Sequence, residues 1–366
     1  MDVETKIELI MKPPTEEVIA VEELRQLLET NDHPIAYDGW EPSGLVHLGT
    51  GLICGYKMKD LIEAGVRFKA YLATWHAWIN DKLGGDLDVI KKAANQFISS
   101  WKVLGFPVEK LEIIWPDQAY DDINYWNKVV RVSREMTIMR GRRTMEIMGR
   151  KEIEARKISD LLYTPMQVAD IFQFEVEICQ LGLDQRKANM VAREVGLKLG
   201  FWKPVCVHHH MLKGLLRPSV WPLPKVGEGR RKAVLEVKMS KSKPEGAIFI
   251  YDSPMEITEK IRKAFAPPKN AEYNPVLDMV KYIVFREMKE FTIHRSSRFG
   301  GDVTYVEYDD LERDYVKGSL HPADLKEELA GFLVERLKPA REALQSDEQL
   351  KEIVNSLRAR MTQGER

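Results

Sequence analysis

The sequence predicts an α/β fold, in which a doubly wound parallel sheet is followed by a mainly helical region. Apolar strand-like segments alternate with helical patterns through the first two thirds of the chain, at the spacing of βαβ units. The later residues carry helical periodicity instead, as in Leu325, Leu329 and Leu333. We therefore predict one domain over residues 1–250 and a second, helical domain over residues 251–366.

The composition suits a large packed core and gives no sign of membrane insertion or secretion. Of the 366 residues, 44% are hydrophobic and 30% are charged, and the formal net charge is −1. A nucleic-acid partner would therefore bind local basic patches. The three cysteines lack metal-ligand spacing and no apolar run reaches the ~18 residues of a membrane span, so we predict a cytoplasmic protein. Adjacent His208, His209 and His210 converge poorly on one ion, and we predict no structural metal.

The first predicted βα unit has the pattern of a phosphate site. A helical lead-in over residues 1–30 precedes a short strand near Ile35, a loop rich in Gly and Pro, and a helix from about His47 to Gly65. Free N–H groups at a helix start attract anions, and Gly49 would permit a close approach. An ordinary βα turn with a solvent-facing histidine explains the same pattern equally well.

The next strands are predicted over residues 67–74 and 111–115, on either side of a helix from Gly84 to about Leu104. His76 follows the first of them, at the strand end where open parallel sheets bind ligands. A histidine packed between tryptophans is as often structural.

A long basic helical insertion is predicted over residues 121–157. Within it, Arg140, Arg142 and Arg143 lie close enough to form a phosphate-binding patch, although a solvated face is equally compatible with them. Methionines at helical spacing in the same segment are typical of a core or a subunit interface.

An apolar helix over residues 161–172 contains Gln167 and Asp170, one turn apart and therefore on one face. Thr164 and Pro165 suggest an N-cap and a first helical residue, with Gln167 completing a capping box. Asp170 has no such explanation, and an aspartate in an apolar segment needs a partner.

The remaining strands are predicted over residues 177–182 and 204–208. A stretch rich in Pro and Gly, residues 217–236, then leads into a basic, hydroxyl-rich loop over residues 238–242, which we call the signature loop. Residues 247–250 are strand-like. Beyond them, Ser253 has the sequence context of a helix cap.

Two motifs together carry a family resemblance. The run Pro-Ser-Gly-x-x-His-Leu-Gly at residues 42–49, followed by Lys-Met-Ser-Lys-Ser at residues 238–242, resembles the "HIGH" and "KMSKS" motifs of class I aminoacyl-tRNA synthetases. Thr50 stands where the second histidine of the first motif is usual. The resemblance implies a Rossmann-like catalytic domain. Further segments resemble the tyrosyl-tRNA synthetases of archaea and eukaryotes, namely residues 36–44, 163–170, 184–187, 299–302 and 321–326.

This resemblance implies a role for each matching residue. The substrate phenol would meet Tyr37 and Asp170, and the amino group and backbone end of tyrosine would meet Tyr163, Gln167 and Gln185. The ATP site would comprise His47, Gly49, Thr50, Lys238, Ser240 and Lys241, of which His47, Thr50, Lys238 and Lys241 would be catalytic. The anticodon would be read by Phe299, His321 and Asp324 in the C-terminal domain. The basic patch of Arg140, Arg142 and Arg143 would lie near the acceptor stem of the tRNA or at a dimer interface.

The implied activity is ATP- and Mg²⁺-dependent activation of L-tyrosine, followed by transfer to the 3′ end of tRNA(Tyr) by a homodimer. Hydrogen-bond chemistry agrees with tyrosine as the substrate. A phenol donates one hydrogen bond and accepts another, and ionised Asp170 can accept the first while Tyr37 can donate the second. An indole only donates, so a tryptophanyl-tRNA synthetase would not need this pair. A non-catalytic, synthetase-like RNA-binding protein could lose its lysines, yet Lys238 and Lys241 are present. A nucleotidylyltransferase would lack the signature loop.

Overall fold

A six-stranded sheet forms the centre of the fold. The computed structural model describes residues 1–149, 157–225, 229 and 237–362. Within these residues the sheet has the strand order β1-β6-β5-β2-β3-β4. The strands are β1 (Thr15–Ile19), β2 (Ile35–Trp40), β3 (Arg67–Leu72), β4 (Glu112–Ile114), β5 (Ile178–Gly182) and β6 (Val205–His209). All neighbouring strands are parallel except β1, which is antiparallel to β6, so the predicted α/β fold is confirmed.

Helices connect the strands and form most of the C-terminal region. The first ten are α1 (Val3–Met11), α2 (Val21–Thr30), α3 (Cys54–Glu63), α4 (Thr74–Ile79), α5 (Leu87–Val103), α6 (Pro116–Tyr120), α7 (Ile123–Arg134), α8 (Ile138–Thr144), α9 (Ile158–Gln173) and α10 (Arg186–Gly196). The later ones are α11 (Pro254–Lys263), α12 (Pro275–Met279), α13 (Phe285–Glu287), α14 (Tyr308–Lys317), α15 (Pro322–Arg336), α16 (Lys338–Ser346) and α17 (Glu348–Thr362). Across the described residues, every helix is too short or too polar to span a bilayer.

The predicted helical lead-in was wrong at its centre, where residues 15–19 form strand β1. Val18 lies opposite Val207 and Ile19 opposite Cys206, so this strand covers the edge that β6 would otherwise expose. A partner nearly 190 residues away decided this conformation, because strand preference depends on the neighbouring strand.

The predicted cap within α9 was also wrong. The helix begins at Ile158, and the backbone N–H of Lys157 donates to the carboxylate of Asp160 at 3.1 Å. Thr164 and Pro165 therefore lie inside the helix. Proline lacks the N–H that would bond the carbonyl one turn earlier, so the helix accepts one missing bond here.

Two other predicted segments differ from the structure, and the prediction for a third is confirmed. Residues 247–250 do not form the predicted strand. Within them, Phe249 makes one isolated β-bridge to His47. The C-terminal region contains a small antiparallel sheet of β7 (Phe291–Ile293) and β8 (Val303–Tyr305). The predicted cap at Ser253 is confirmed, since its hydroxyl accepts from the N–H of Glu256. Residues 150–156 of the basic insertion, with 226–228 and 230–236 of the Pro/Gly-rich stretch, lie outside the described residues.

The parallel strands end together at one edge of the sheet. Gly182 of β5 pairs with His209 of β6, and β2 runs beside β5 through Tyr37 and Cys179. The hydrophobic core below this edge continues past residue 250, where Ile257 and Leu325 belong to the same buried cluster as the strands. The predicted boundary at residue 250 therefore does not interrupt the core.

Candidate active site

A cavity of about 1270 Å³ opens at the carboxyl edge of β2, β5 and β6. This position is where open parallel sheets bind ligands. Every residue predicted to bind tyrosine or ATP lines it: Tyr37, His47, Gly49, Thr50, Tyr163, Gln167, Asp170, Gln185, Lys238, Ser240 and Lys241. The fold therefore brings together residues from segments 200 positions apart. His76, at the end of β3, lines the same cavity.

Unpaired polar atoms of Tyr37, His76 and Asp170 mark the buried end of the cavity. Tyr37 is 1% exposed and Asp170 is 0% exposed. Within the described residues, the Tyr37 hydroxyl and Asp170 Oδ2 have no hydrogen-bond partner. A buried polar group without a partner costs about 1–3 kcal/mol. Burial raises the pKa of Tyr37, which remains a donor, so the pair suits a ligand hydroxyl that both donates and accepts.

A group of tyrosines supports the Asp170 carboxylate from behind. The Tyr125 hydroxyl donates to Asp170 Oδ1 at 3.0 Å, and the hydroxyls of Tyr71 and Tyr120 lie 2.9 Å apart. Burial raises the pKa of Asp170 well above its usual range, while the hydrogen bond from Tyr125 and the nearby Tyr71 hydroxyl lower it. His76 Nε2 lies 3.6 Å from Asp170 Oδ2, but burial lowers the pKa of His76 to about 3 and keeps the ring neutral.

We expect Tyr125→Phe to reduce kcat/KM for the amino acid by ~10-fold, because a hydrogen bond to a charged group contributes about 1.5–3 kcal/mol. Burial favours protonated Asp170, so binding that needs the carboxylate is lost as pH falls through its pKa. Removing the Tyr125 donor raises that pKa further, and the acid limb of the kcat/KM profile should move to higher pH. Tyr56→Phe, which removes a buried phenol bonded to Glu287 at 2.6 Å, is the matched control. An unmoved acid limb in Tyr125→Phe would contradict the role given to this hydroxyl.

The middle of the cavity is rich in hydrogen-bond acceptors. The Tyr163 hydroxyl donates to Glu41 Oε1 at 2.6 Å, and the amide of Asn80 donates to the same carboxylate at 3.0 Å. Gln167 Nε2 donates to Gln185 Oε1 at 3.2 Å. Gln167 Oε1 is buried without a partner among the described residues. Carboxylate and amide oxygens facing a cavity suit an ammonium group.

Beside them, the turn that follows β2 presents side-chain donors. His47 Nδ1 accepts from the N–H of Gly49 at 3.1 Å, so the ring proton is placed on Nε2, which lies 3.4 Å from the Thr50 hydroxyl. Burial, Lys241 and Lys238 lower the pKa of His47 to about 3, and the ring is a neutral donor. The N–H of Leu48 donates to the carbonyl of Ile248 at 3.0 Å. The backbone N–H groups of Leu48 and Gly49 are therefore already paired and are not free for an anion. The prediction of a phosphate site built from free N–H groups is partly wrong.

The signature loop supplies two cations to the same cavity. Lys241 Nζ donates to the Ser43 hydroxyl at 3.2 Å and lies 4.5 Å from the centre of the Phe97 ring. Burial and the charge of Lys82 lower the pKa of Lys241 to about 7, so a bound anion would restore a full positive charge. Lys238 forms an ion pair with Asp184. The positive charge of the two lysines and the donors at the turn of His47 suit a polyphosphate.

The residues predicted to contact RNA lie outside this cavity. Arg140 forms an ion pair with Glu194 at 2.7 Å, while Arg142 and Arg143 are exposed in the last turn of α8. His321 caps α15 by accepting from the N–H of Ala323 at 3.1 Å. Asp324 lies in the first turn of that helix. The side chain of Phe299 falls outside the described part of the chain.

Sequence reasoning missed four supporting residues, which are Glu41, Tyr71, Tyr120 and Tyr125. The three tyrosines come from β3, α6 and α7, and nothing in the spacing of these segments indicates that they meet at Asp170. Glu41 lies within the first resembling segment and could have been found as a carboxylate directly after β2.

Comparison with known proteins gives consistent results. The family model "tRNA synthetases class I (W and Y)" matches residues 29–220 and 228–338. A tyrosine–tRNA ligase of Thermococcus kodakarensis is 47% identical over 373 residues, covering 98% of this chain and 99% of the relative. The crystal structure of tyrosyl-tRNA synthetase from Pyrococcus horikoshii, complexed with L-tyrosine, is similar with a TM-score of 0.92 and 45% identity, covering 97% of this chain and 100% of that one. The tyrosyl-tRNA synthetase structure from Aeropyrum pernix has a TM-score of 0.85 at 40% identity and covers 98% of this chain and 100% of that one.

Proposed function

This chain belongs to the class I tRNA synthetases as an archaeal-type tyrosyl-tRNA synthetase, and from that premise we propose which of its residues bind and activate tyrosine. Its activity is that of a tyrosine–tRNA ligase. The observation that supports the residue assignment best is the unpaired Tyr37 hydroxyl facing the same cavity as unpaired Asp170 Oδ2. In the proposal, the substrate phenol donates to Asp170 and accepts from Tyr37. The substrate ammonium group lies among Glu41, Tyr163, Gln167 and Gln185, since these supply oxygen acceptors.

ATP is the proposed second substrate, with its phosphates at His47, Gly49, Thr50, Lys238, Ser240 and Lys241. Mg²⁺ prefers phosphate oxygens and retains several waters, so we propose that it binds together with ATP. The reaction itself requires no structural metal. Gly49 matters sterically, because a Cβ there would lie 2.9 Å from His47 Cε1 and would displace the ring.

The proposed chemistry is positioning combined with charge stabilisation. The tyrosine carboxylate attacks the α-phosphorus of ATP, the bond to the β-phosphate oxygen breaks, and pyrophosphate leaves. Lys238 and Lys241 stabilise the negative charge that develops on the phosphates, while neutral His47 and Thr50 donate hydrogen bonds. No covalent enzyme intermediate is needed. The tyrosyl group then passes to the 3′ end of tRNA(Tyr).

A pyrophosphate-exchange assay with each of the protein amino acids tests the proposal. Exchange should depend on tyrosine and should be lost when the cavity residues are changed. Exchange driven equally by tryptophan would contradict the phenol site, since an indole leaves the Tyr37 hydroxyl unpaired.

The proposed tRNA contacts follow the domain prediction. Residues 1–250 form the catalytic domain, and residues 251–366 form the anticodon-binding domain through Phe299, His321 and Asp324. We place the protein in the cytoplasm, where aminoacylation serves translation.

A homodimer is proposed through the surface of α7, α8 and the start of α9. This surface exposes apolar side chains in numbers that a solvated face would not favour: Val130 at 58%, Ile138 at 70%, Met139 at 60% and Ile158 at 83%. Arg142 and Arg143 lie beside it on α8, and they can meet either tRNA phosphates or the second subunit.

We expect Arg142→Glu with Arg143→Glu to weaken tRNA binding and to flatten its salt dependence, since each lost phosphate contact reduces the slope by about 1. Amino-acid activation without tRNA should persist. Lys59→Glu with Lys102→Glu, which reverses two exposed lysines on α3 and α5, is the charge-matched control. Binding titrations over a range of salt concentrations give the slope, and sedimentation gives the oligomeric state. An unchanged slope with altered sedimentation would assign the patch to the dimer interface instead.

A further inference from the structure

Three potential metal ligands meet beside the nucleotide end of the cavity. They are Asp38 of β2, Cys54 at the start of α3 and His209 at the end of β6. One ligand atom from each lies within 4.8 Å of the other two. All three side chains are buried, and all three line the cavity wall. We propose that they bind one divalent ion of the zinc class, with the fourth position open to the cavity.

The geometry fits a tetrahedral ion. Cys54 Sγ and His209 Nε2 lie 3.6 Å apart. A tetrahedral centre with zinc–sulfur and zinc–nitrogen bonds of about 2.3 and 2.0–2.1 Å separates those two ligands by about 3.6 Å. Sulfur, imidazole and carboxylate are the donors that zinc uses, whereas Mg²⁺ and Ca²⁺ take oxygen alone. Three protein ligands with one open position is the arrangement of an exchangeable or catalytic ion rather than a closed structural one.

The Asp38 carboxylate gives independent support. Asp38 is 2% exposed, and its Oδ2 has no hydrogen-bond partner within the described residues. Nearby Lys238 could offer a positive charge, but it pairs with the carboxylate of Asp184 instead. A buried acceptor without a donor calls for a cation or a ligand. In addition, Trp40 Nε1 donates to Cys54 Sγ at 3.4 Å, a contact that fixes the position of the sulfur atom.

The surroundings of His209 point the same way. Gln180 Nε2 lies 2.6 Å from His209 Nδ1, while Gln180 Oε1 is buried without a partner. The two ends of an amide are assigned from their hydrogen bonds, and turning this amide over places its oxygen against an Nδ1–H. The ring proton is then held on Nδ1, and the lone pair of Nε2 faces Cys54 and the proposed ion. An outer hydrogen bond of this kind is usual for a metal-bound histidine.

This inference departs from the sequence prediction of no metal, which considered whether the adjacent histidines share an ion. They do not, because His208 bonds to Glu17 at 2.8 Å and His210 to Asp278 at 3.0 Å. His209 instead meets residues 155 and 171 positions earlier in the chain. The proposed activation step uses none of the three ligands. A bound ion would join β2, α3 and β6 at the carboxyl edge of the sheet.

The test is a metal titration of the full chain, purified without an affinity tag and treated with a chelator. We expect one equivalent of Co²⁺ to give thiolate-to-cobalt charge-transfer absorption, and one equivalent of Zn²⁺ to abolish it. Zn²⁺ should also raise the thermal midpoint, since it binds the folded state. Cys54→Ser should remove the absorption and weaken Zn²⁺ binding by more than ~100-fold, and Gln180→Ala should weaken it by ~10–100-fold. Cys206→Ser, a buried cysteine outside the cluster, should bind as the unaltered chain does.

Several results would overturn the proposal. A folded protein that binds no stoichiometric metal would show that the cluster is a neutral hydrogen-bonded part of the core. Equal binding by Cys54→Ser, or loss of binding in Cys206→Ser, would place the ion elsewhere. If Cys54→Ser does not fold, Asp38→Asn and His209→Asn decide the question. Each retains the thiolate, so each should keep the absorption but need at least ~100-fold more metal to reach it.

Discussion

Lys241→Ala should lower the rate of tyrosyl-adenylate formation by ~10²–10³-fold and leave the affinity for tyrosine nearly unchanged. Among the described residues, Lys241 forms no ion pair with a carboxylate. Its side chain instead contacts the Ser43 hydroxyl and the Phe97 ring. It is therefore placed to meet charge that develops on the departing pyrophosphate. Removing one preorganised donor at such a charge costs about 2.7–4 kcal/mol of transition-state stabilisation.

Single-turnover measurement of adenylate formation separates this effect from substrate binding. Lys243→Ala is the matched control, because it removes an exposed lysine that directly follows the signature loop. Lys241→Arg retains a positive charge in a different shape, since guanidinium keeps its proton where burial lowers the lysine pKa to about 7. A normal activation rate in Lys241→Ala would exclude the lysine from the transition state. A loss confined to the KM for ATP would make it a ground-state contact.

The parallel part of the sheet was predictable because each strand is a short apolar run bounded by turn residues, which is a local pattern. β1 was not predictable, since the segment Thr-Glu-Glu-Val-Ile is extended through its pairing with β6. The same distinction applies within α9. Its apolar periodicity indicated a helix, but Thr164 and Pro165 imitate a helix start inside it.

Family motifs and local patterns predicted only part of the candidate site. They placed Tyr37, Asp170 and both lysines at one cavity, as the structure does. They did not indicate that Tyr125 supports Asp170, or that Asp38, Cys54 and His209 meet. Those contacts depend on which strands and helices become neighbours, and a single sequence carries no spacing signal for such long-range contacts.

Replacing both residues of the phenol site should have the clearest effect on specificity. Asp170→Ala with Tyr37→Leu should lower the ratio of kcat/KM for tyrosine to that for phenylalanine by at least ~10²-fold. Two hydrogen bonds are lost, one of them to a charged group, and together they contribute about 3 kcal/mol, where about 1.4 kcal/mol is tenfold. The variant cavity is also larger and less polar, so para-methylphenylalanine should become a competing substrate.

The measurement is kcat/KM for tyrosine, phenylalanine and para-methylphenylalanine in the unaltered enzyme, both single variants and the double variant. Thr164→Val is the control on the same helix, because it removes a buried hydrogen bond to Thr144 at 2.8 Å without touching the cavity. That control should change all three values alike. Asp170→Ala also strands the Tyr125 hydroxyl, so part of its loss is common to all substrates, and the ratio removes that part. If the double variant loses activity equally toward the three amino acids, Tyr37 and Asp170 support the fold and the phenol binds elsewhere. If the ratio falls while para-methylphenylalanine gains, the Tyr37 hydroxyl and the Asp170 carboxylate are the groups that distinguish tyrosine.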